Sequence, residues 1–61
     1  MTDREFVLQS YYHIIPHFNK YYGLICDNAR MVQILEAKSE EDAWKIARKI
    51  IEHKMLAIFE L

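Results

Sequence analysis

The chain has 61 residues, of which 52% are hydrophobic and 13% aromatic, and its formal net charge is −1. This composition is too apolar for a disordered chain, and eight basic against nine acidic residues exclude a strongly basic nucleic-acid surface and an acidic nucleic-acid mimic. We expect one domain over residues 1–61, near the lower size limit for folding without a disulfide, a metal or a partner.

The cysteine content, the N-terminal sequence and the longest uncharged segment indicate the cellular compartment. Cys26 is the only cysteine, so no internal disulfide can form, and the charged N-terminus precedes no signal-peptide pattern. Residues 6–19 carry no Asp, Glu, Lys or Arg, but this stretch is too short to span a bilayer. These features predict a cytoplasmic protein with no membrane partner.

The first predicted element is a strand over Glu5–Ile15, because this segment is rich in β-branched, aromatic and aliphatic residues. Its side chains are largely apolar at both alternating sets of positions. Pro16 is expected to end the strand because it has no backbone N–H for the ladder, and Pro16–Lys20 then forms a hairpin connection.

Two further strands follow. Tyr21–Cys26 reads as the second, with Gly23 as a bulge or a close approach, and Asp27–Arg30 as the turn after it. Met31–Ala37 is the third, with Val32 and Ile34 on one face. Strands joined by short turns are normally antiparallel neighbours, so a three-stranded meander is expected.

The longest predicted element is a helix over Ser39–Lys54. Ser39 is a good N-cap residue, and Asp42 is placed to complete a near capping box. The buried face is expected to consist of Ala43, Ile46, Ala47, Ile50 and Ile51, with Trp44 at its edge. A fourth strand over Met55–Leu61 ends the chain. The predicted fold is therefore α+β with the order β-β-β-α-β, an antiparallel meander with one amphipathic helix on one sheet face and a C-terminal strand.

Catalytic and metal chemistry find little support in the sequence. His13, His17, Cys26 and His53 could form a zinc set, but Pro16 interrupts the His-x₃-His spacing. Cys26 lies in an apolar segment, where a cysteine is more often a small buried hydrophobe than a nucleophile. No nucleotide-binding or catalytic motif is present. We therefore predict no catalytic residue, no metal and no cofactor.

Two tyrosine pairs are the strongest indication of a binding surface. Tyr11-Tyr12 and Tyr21-Tyr22 each place one ring on each sheet face, and one helix covers only one face. The alternative is that all four rings line a small aromatic core. The binding residues predicted on this basis are Val7, Tyr11, Tyr12, His13, His17, Phe18, Tyr21, Tyr22 and Leu24.

These observations predict a non-enzymatic protein-binding mini-domain, a small inhibitor or adaptor that forms a homodimer or pairs with a larger protein through its uncovered sheet face. The alternative is a single-stranded nucleic-acid-binding module that stacks bases on its aromatic side chains. That mode needs basic residues on the same surface, and here Lys20, Arg30 and Lys38 are scattered. The helix residues Lys45, Arg48 and Lys49 are interleaved with Glu41 and Glu52, which indicates a solvated face and not a track for phosphates.

The segment Glu36–Trp44, followed by Ile46 and Ala47, carries a resemblance. It is similar to patterns found in short phage-encoded inhibitors of host enzymes, in some ribosomal proteins and in antitoxin-like partial ferredoxin folds. The likeness extends over residues 32–61 at most and indicates no single family. Most of these proteins act by binding, so the resemblance favours a binding function.

Overall fold

The computed structural model describes residues 1–59, with side-chain surroundings up to Lys54. The elements in chain order are α1 (Asp3–Gln9), β1 (Tyr12–Phe18), β2 (Tyr21–Cys26), β3 (Met31–Glu36) and α2 (Glu40–Phe59). The strands form an antiparallel sheet in the order β1-β2-β3. The predicted α+β meander is confirmed, but the order of the described elements is α-β-β-β-α.

Helix α1 replaces the N-terminal part of the first predicted strand, Glu5–Ile15, whose last residues from Tyr12 onward do form a strand. Thr2 and Glu5 form a capping box: Thr2 Oγ1 accepts a hydrogen bond from the Glu5 amide at 3.1 Å, and Glu5 Oε1 accepts one from the Thr2 amide at 3.4 Å. The chain leaves the helix at Tyr11, which has a φ of 66° and donates its amide to Leu8 O at 3.1 Å. The strand prediction was wrong here because a short apolar run fits either structure, and the cap selects the helix.

Strand β1 continues through Pro16 to Phe18, so the prediction that Pro16 ends the strand was wrong. The turn to β2 contains only Asn19 and Lys20, and Asn19 adopts a φ of 48°. β1 is an edge strand, where a residue without an N–H is tolerated because one side of the strand has no ladder partner. The pairing with β2 shifts register between Pro16 and Phe18.

The start of α2 agrees with the prediction. Ser39 Oγ accepts a hydrogen bond from the Asp42 amide at 3.2 Å, as an N-cap residue does. The Asp42 carboxylate accepts a hydrogen bond from the Lys38 amide at 3.3 Å, so it reaches one residue beyond the cap. These two bonds satisfy backbone donors at the helix start that no helical carbonyl can reach.

The end of α2 differs from the prediction. The helix continues past Lys54 to Phe59, so the fourth strand expected over Met55–Leu61 is not shown. Residues 60 and 61 of that predicted strand lie outside the described residues. Helix continuation has a local cause, since this segment contains no glycine or proline and includes the strong helix formers Met, Leu and Ala.

The hydrophobic core lies between the sheet and both helices. It contains Val7, Ile14, Leu24, Leu35, Ala37, Ala43, Trp44, Ala47 and Ile51. Small alanines on α2 allow the helix to approach its neighbours closely. The sheet is therefore covered by two helices and not by the single helix that the sequence predicted.

Arg48 joins the two helices. Its Nη1 lies 3.2 Å from Asp3 Oδ1, and its guanidinium carbon lies 4.8 Å from the centre of the Phe6 ring. A second ion pair joins Arg48 Nε to Glu52 Oε1 at 3.5 Å within α2. The side chain thus has a structural role in docking α1, whereas the sequence predicted it on the solvated face of the helix.

Candidate functional site

The sheet has two faces of different character. Ile14, Leu24 and Leu35 point towards the helices and are buried, and we call this side the inner face. Strand residues alternate between faces, so Ile15 and Ile34 belong to the opposite side, which we call the outer face. Both of these isoleucines are exposed, and Ile34 is 50% exposed. No described element covers the outer face.

Register places three transverse rows on the outer face. Ile15, Gly23 and Ile34 form the middle row, because each pairs with its neighbour across the sheet. The flanking rows are His13 with Ile25 and Met31, and Phe18 with Tyr21 and Glu36. The outer face is therefore an apolar surface that extends over all three strands.

Gly23 lies at the centre of this surface and is buried beneath the side chain of Met31. A Cβ atom added to Gly23 would lie 2.7 Å from Met31 Cε and 3.5 Å from Ile15 Cγ1. The flexible end of Met31 thus lies over the glycine, which is the close approach that the sequence indicated at this position. The space above Gly23 is therefore filled by Met31, whose thioether chain is flexible.

Aromatic side chains and one ion pair border the outer face at the hairpin end. Phe18 is 67% exposed, and Tyr21 beside it is partly exposed. Lys20 Nζ and Glu36 Oε1 form an ion pair at 3.1 Å between two exposed side chains. The positive and negative charges therefore cancel at this border, and the rings provide contact area.

Four of the predicted binding residues face the core. Val7 and Leu24 are 0% exposed, so the expectation that they lie on the uncovered face was wrong. Tyr12 and Tyr22 are partly buried and pack against the core. Val7 was predicted on a strand but lies in α1, on the side that faces the core. Tyr22 and Leu24 lie on the sheet face that the helices cover.

The other predicted residues lie nearer the surface. Tyr11 is 75% exposed at the start of β1. His13 belongs by register to an outer row, but its ring centre lies 5.9 Å from that of Trp44 in an edge-to-face arrangement, which places it beside α2. His17 is exposed in the irregular part of β1. Of the predicted residues, Phe18 and Tyr21 therefore belong to the outer face by register, whereas the ring of His13 lies beside α2.

The central residues of the outer face, Ile15 and Ile34, are not among the predicted binding residues. Ile15 follows Tyr11 and His13 in the same alternation and could have been found from that pattern. Ile34 could not, because the sequence placed it with Val32, which packs against the core. The register shift opposite Leu24 and Ile25 breaks the alternation of β3, and a β-bulge leaves no signal in this sequence.

Cys26 lies away from the outer face, and its Sγ is 2.8 Å from the Asn28 side-chain oxygen, to which it can donate. The thiol is half-buried next to the turn after β2. Among the residues that the structure describes, no three His, Cys, Asp or Glu side chains come together in a way that would hold a metal ion.

A second concave surface lies between the first turns of α1 and α2, beside the Trp44 ring. Its rim carries Asp3, Glu5, Glu40, Glu41 and Asp42. Hydrogen bonds from the Thr2 side chain and then the Thr2 backbone lower the pKa of Glu5 below its usual value. Acidic residues in a first helical turn stabilise the helix through its dipole, so this rim has a structural explanation.

Comparison with known proteins adds no relative: no family model, no curated protein and no solved structure matches the chain. Within the part of the chain that is described, neither helix has both the length and the apolar character needed to cross a membrane.

Proposed function

We propose that this protein is a non-enzymatic protein-binding mini-domain that acts through the outer face of its sheet, as a small inhibitor or adaptor does. A cytoplasmic location remains part of this proposal. The observation that supports it is the set of exposed apolar side chains on three neighbouring strands. Contiguous apolar patches on small proteins commonly mark protein interaction sites.

The composition of the outer face also supports binding to protein. Phe18, Tyr21 and Met31 belong to the residue types that are enriched in protein interfaces, and they surround the isoleucines of the middle row. Glu36 is the only Asp, Glu, Lys or Arg that register places on this described face, and it is paired with Lys20. Depletion of charge at the centre of a patch is typical of an interface core.

Affinity capture with a matched pair of variants tests the proposal. The full chain is immobilised and exposed to an extract of its source organism, and the bound proteins are identified by mass spectrometry. Ile34→Lys adds a charge to the outer face, and we expect it to abolish capture of the specific partners. Leu8→Lys makes the same chemical change on α1, where Leu8 is 40% exposed, and should leave capture unchanged.

Circular dichroism of both variants confirms that each is folded before capture is compared. If Ile34→Lys captures the same proteins as the unchanged chain, the outer face is not the binding surface. If Leu8→Lys alone loses them, the helical side of the molecule is the binding surface instead.

Single-stranded nucleic-acid binding is the second candidate, and the exposed ring of Phe18 close to Lys20 favours it. The ion pair between Lys20 and Glu36 makes this function less favoured, because Glu36 neutralises the charge of Lys20. Titration of the protein with single-stranded oligonucleotides at low salt tests it. Binding that weakens steeply with salt and with Lys20→Gln would favour this function, and the absence of binding would end it.

A further inference from the structure

We propose that one edge of the sheet is a further interaction surface, which pairs through its main chain with an extended strand of another protein. We call it the β3 edge and define it as the side of β3 (Met31–Glu36) that faces away from β2. This inference goes beyond the proposed function, because it concerns the backbone of one strand and not the side chains of the outer face. Strand addition at an open sheet edge is a recurrent mode of peptide recognition.

Two hydrogen bonds at the ends of β2 show which backbone groups of the sheet are paired. The Ala37 amide donates to Lys20 O at 2.9 Å, and the Cys26 amide donates to Arg30 O at 3.0 Å. Successive residues of an antiparallel strand point their N–H and C=O groups alternately towards one neighbouring strand and the other. Every second residue of β2, counted from either end, therefore bonds β3, and the two counts agree.

The residues of β3 divide in the same way. Gln33 and Leu35 lie opposite the β2 residues that bond β3, so their backbone groups face β2. The N–H and C=O groups of Ile34 and Glu36 consequently point outward. Within the part of the chain that the structure describes, no backbone hydrogen bond outside the sheet involves these two residues. The β3 edge thus presents donors and acceptors in the order that a neighbouring strand requires.

The opposite edge of the sheet, on β1, is closed to such a partner. Pro16 lies opposite Tyr22, whose backbone groups face β3, so Pro16 occupies an outward position on β1. It has no N–H to donate, and prolines at such positions prevent an edge strand from pairing with other chains. β3 contains no proline, and Glu36 at its end is its only Asp, Glu, Lys or Arg. The protection that closes one edge is therefore missing from the other.

The bulge in β3 and the side chain of Ile34 define the chemistry of the partner strand. The register shift at the start of β3 limits regular pairing to residues 33–36, so the added strand forms about four main-chain hydrogen bonds. It also places one side chain beside Ile34, which is 50% exposed. A β-branched or aromatic residue is favoured at that position, because such cross-strand pairs stabilise a sheet.

A second copy of β3 fits this edge less well than another sequence. Two-fold pairing centred on Ile34 sets Glu36 opposite Val32, which lies in the bulge and has no partner in β2. Two-fold pairing centred on Leu35 sets the Glu36 carboxylate opposite the apolar Ile34 of the other copy. The partner is accordingly an extended segment of a different protein.

Amide hydrogen exchange of the full chain, followed by NMR, tests the inference. The probe is a capped hexapeptide of alternating valine and threonine in which every second amide is N-methylated, so that it has one pairing edge and forms no sheet with itself. A bound strand slows the exchange of the amides that it covers by a factor of 1 + [L]/Kd. At a peptide concentration of about twice Kd, the Ile34 and Glu36 amides should exchange about threefold more slowly.

Two variants at position 36 separate its main chain from its side chain. Glu36→Pro removes the outward amide and should raise the Kd of the peptide, read from the Ile34 amide, about tenfold or more. Glu36→Ala removes the ion pair with Lys20 but keeps the amide, and should leave Kd within about threefold. A hexapeptide with every amide N-methylated is the control for the probe and should slow neither amide. This control keeps the inference testable even if Glu36→Pro does not fold.

Exchange that is not slowed at Ile34 and Glu36, or that the fully methylated peptide slows equally, would overturn the inference. Slowing at the outward amides of β1 instead would show that the edge was assigned wrongly. Slowing that increases with protein concentration in the absence of peptide would make a second copy the partner and overturn the assignment to another protein. Ile15→Lys separates this inference from the proposed function, because it alters the outer face on β1 and should leave the Kd of the peptide within about twofold.

Discussion

On the inner face, Ile14, Leu24 and Leu35 are buried beneath the helices, whereas Ile15 and Ile34 occupy neighbouring positions on the same strands and are exposed. The two faces are similar in composition, since both are mainly aliphatic and aromatic. Alternation of side chains along a strand normally separates apolar from polar residues when one face is solvated. Here that separation is absent, although the helices cover one face only.

This difference in burial between two apolar faces shows that hydrophobicity alone does not identify the core of this protein. The inner face is defined by what the helices cover, and the capping box of α1 and the position of Arg48 determine that coverage. The outer face retains apolar residues without any described internal partner. A chain this small has little stability to spare, so we attribute these exposed residues to binding.

The largest expected effect is a difference in the free energy of unfolding between substitutions on the inner and the outer face. Leu24→Ala should lower the free energy of unfolding by about 2–5 kcal/mol, because it leaves a cavity in the core. Ile34→Ala, on the outer face, should lower it by less than about 1 kcal/mol in the monomer. Urea denaturation followed by circular dichroism at micromolar protein concentration measures both. Equal losses in the two variants would remove the distinction between the faces.

The second prediction tests whether Arg48 holds α1 against the core on the inner face of the sheet. Arg48→Ala removes the contacts to Asp3 and Phe6 and should lower the free energy of unfolding by about 1 kcal/mol. The estimate is modest because solvent reaches about a third of the Arg48 and Asp3 side chains. Lys49→Ala, at the exposed neighbouring position, is the control for helix propensity. Thermal unfolding that falls equally in both variants would show that Arg48 does not dock α1.

The third prediction concerns Tyr11, where α1 gives way to the sheet. A non-glycine residue with a φ of 66° costs about 1–2 kcal/mol, and the exposed ring regains little of this through packing. Tyr11→Gly should therefore raise the free energy of unfolding by about 1 kcal/mol. Tyr11→Ala keeps the Cβ and should show no such gain in urea denaturation. A loss of stability in Tyr11→Gly would mean that the ring is part of the core.

The smallest effect concerns the cap of α1. Because Thr2 hydrogen bonds lower the pKa of Glu5 below its usual 4.5, the folded state favours the ionised carboxylate. The resulting stability is present above that usual value and is lost as the pH falls through the lowered pKa. Thr2→Ala should raise the pKa of Glu5 in an NMR titration, whereas Thr2→Ser should preserve it. An unchanged pKa in Thr2→Ala would contradict the capping box as its cause.

The central part of the fold was accessible from sequence because its signals are local. Tyr21–Cys26 lies between turn residues, and Ser39 with the acids after it starts α2, so both were predicted correctly at these boundaries. Thr2-x-x-Glu5 is also a local signal, and it would have indicated α1 had it been weighed against the β-branched content that follows.

The remainder depended on tertiary contacts. Neither the contact of Arg48 with Phe6 nor the coverage of Val7 by the core can be read from residue spacing. The sequence predicted an exposed apolar sheet face. It grouped Ile34 with Val32, however, because it does not show the bulge in β3 that reverses the alternation of side chains around Ile34. The sequence pattern therefore predicted an exposed apolar sheet face and its border residues Phe18 and Tyr21, but not its central residues Ile15 and Ile34.

Photo-crosslinking tests the central claim most directly. Chains that carry a photoreactive amino acid at position 34, on the outer face, or at position 8, on α1, are irradiated in an extract of the source organism. We predict crosslinks to other proteins from position 34 and none from position 8. Crosslinks from position 8 alone, or none from position 34, would contradict the account.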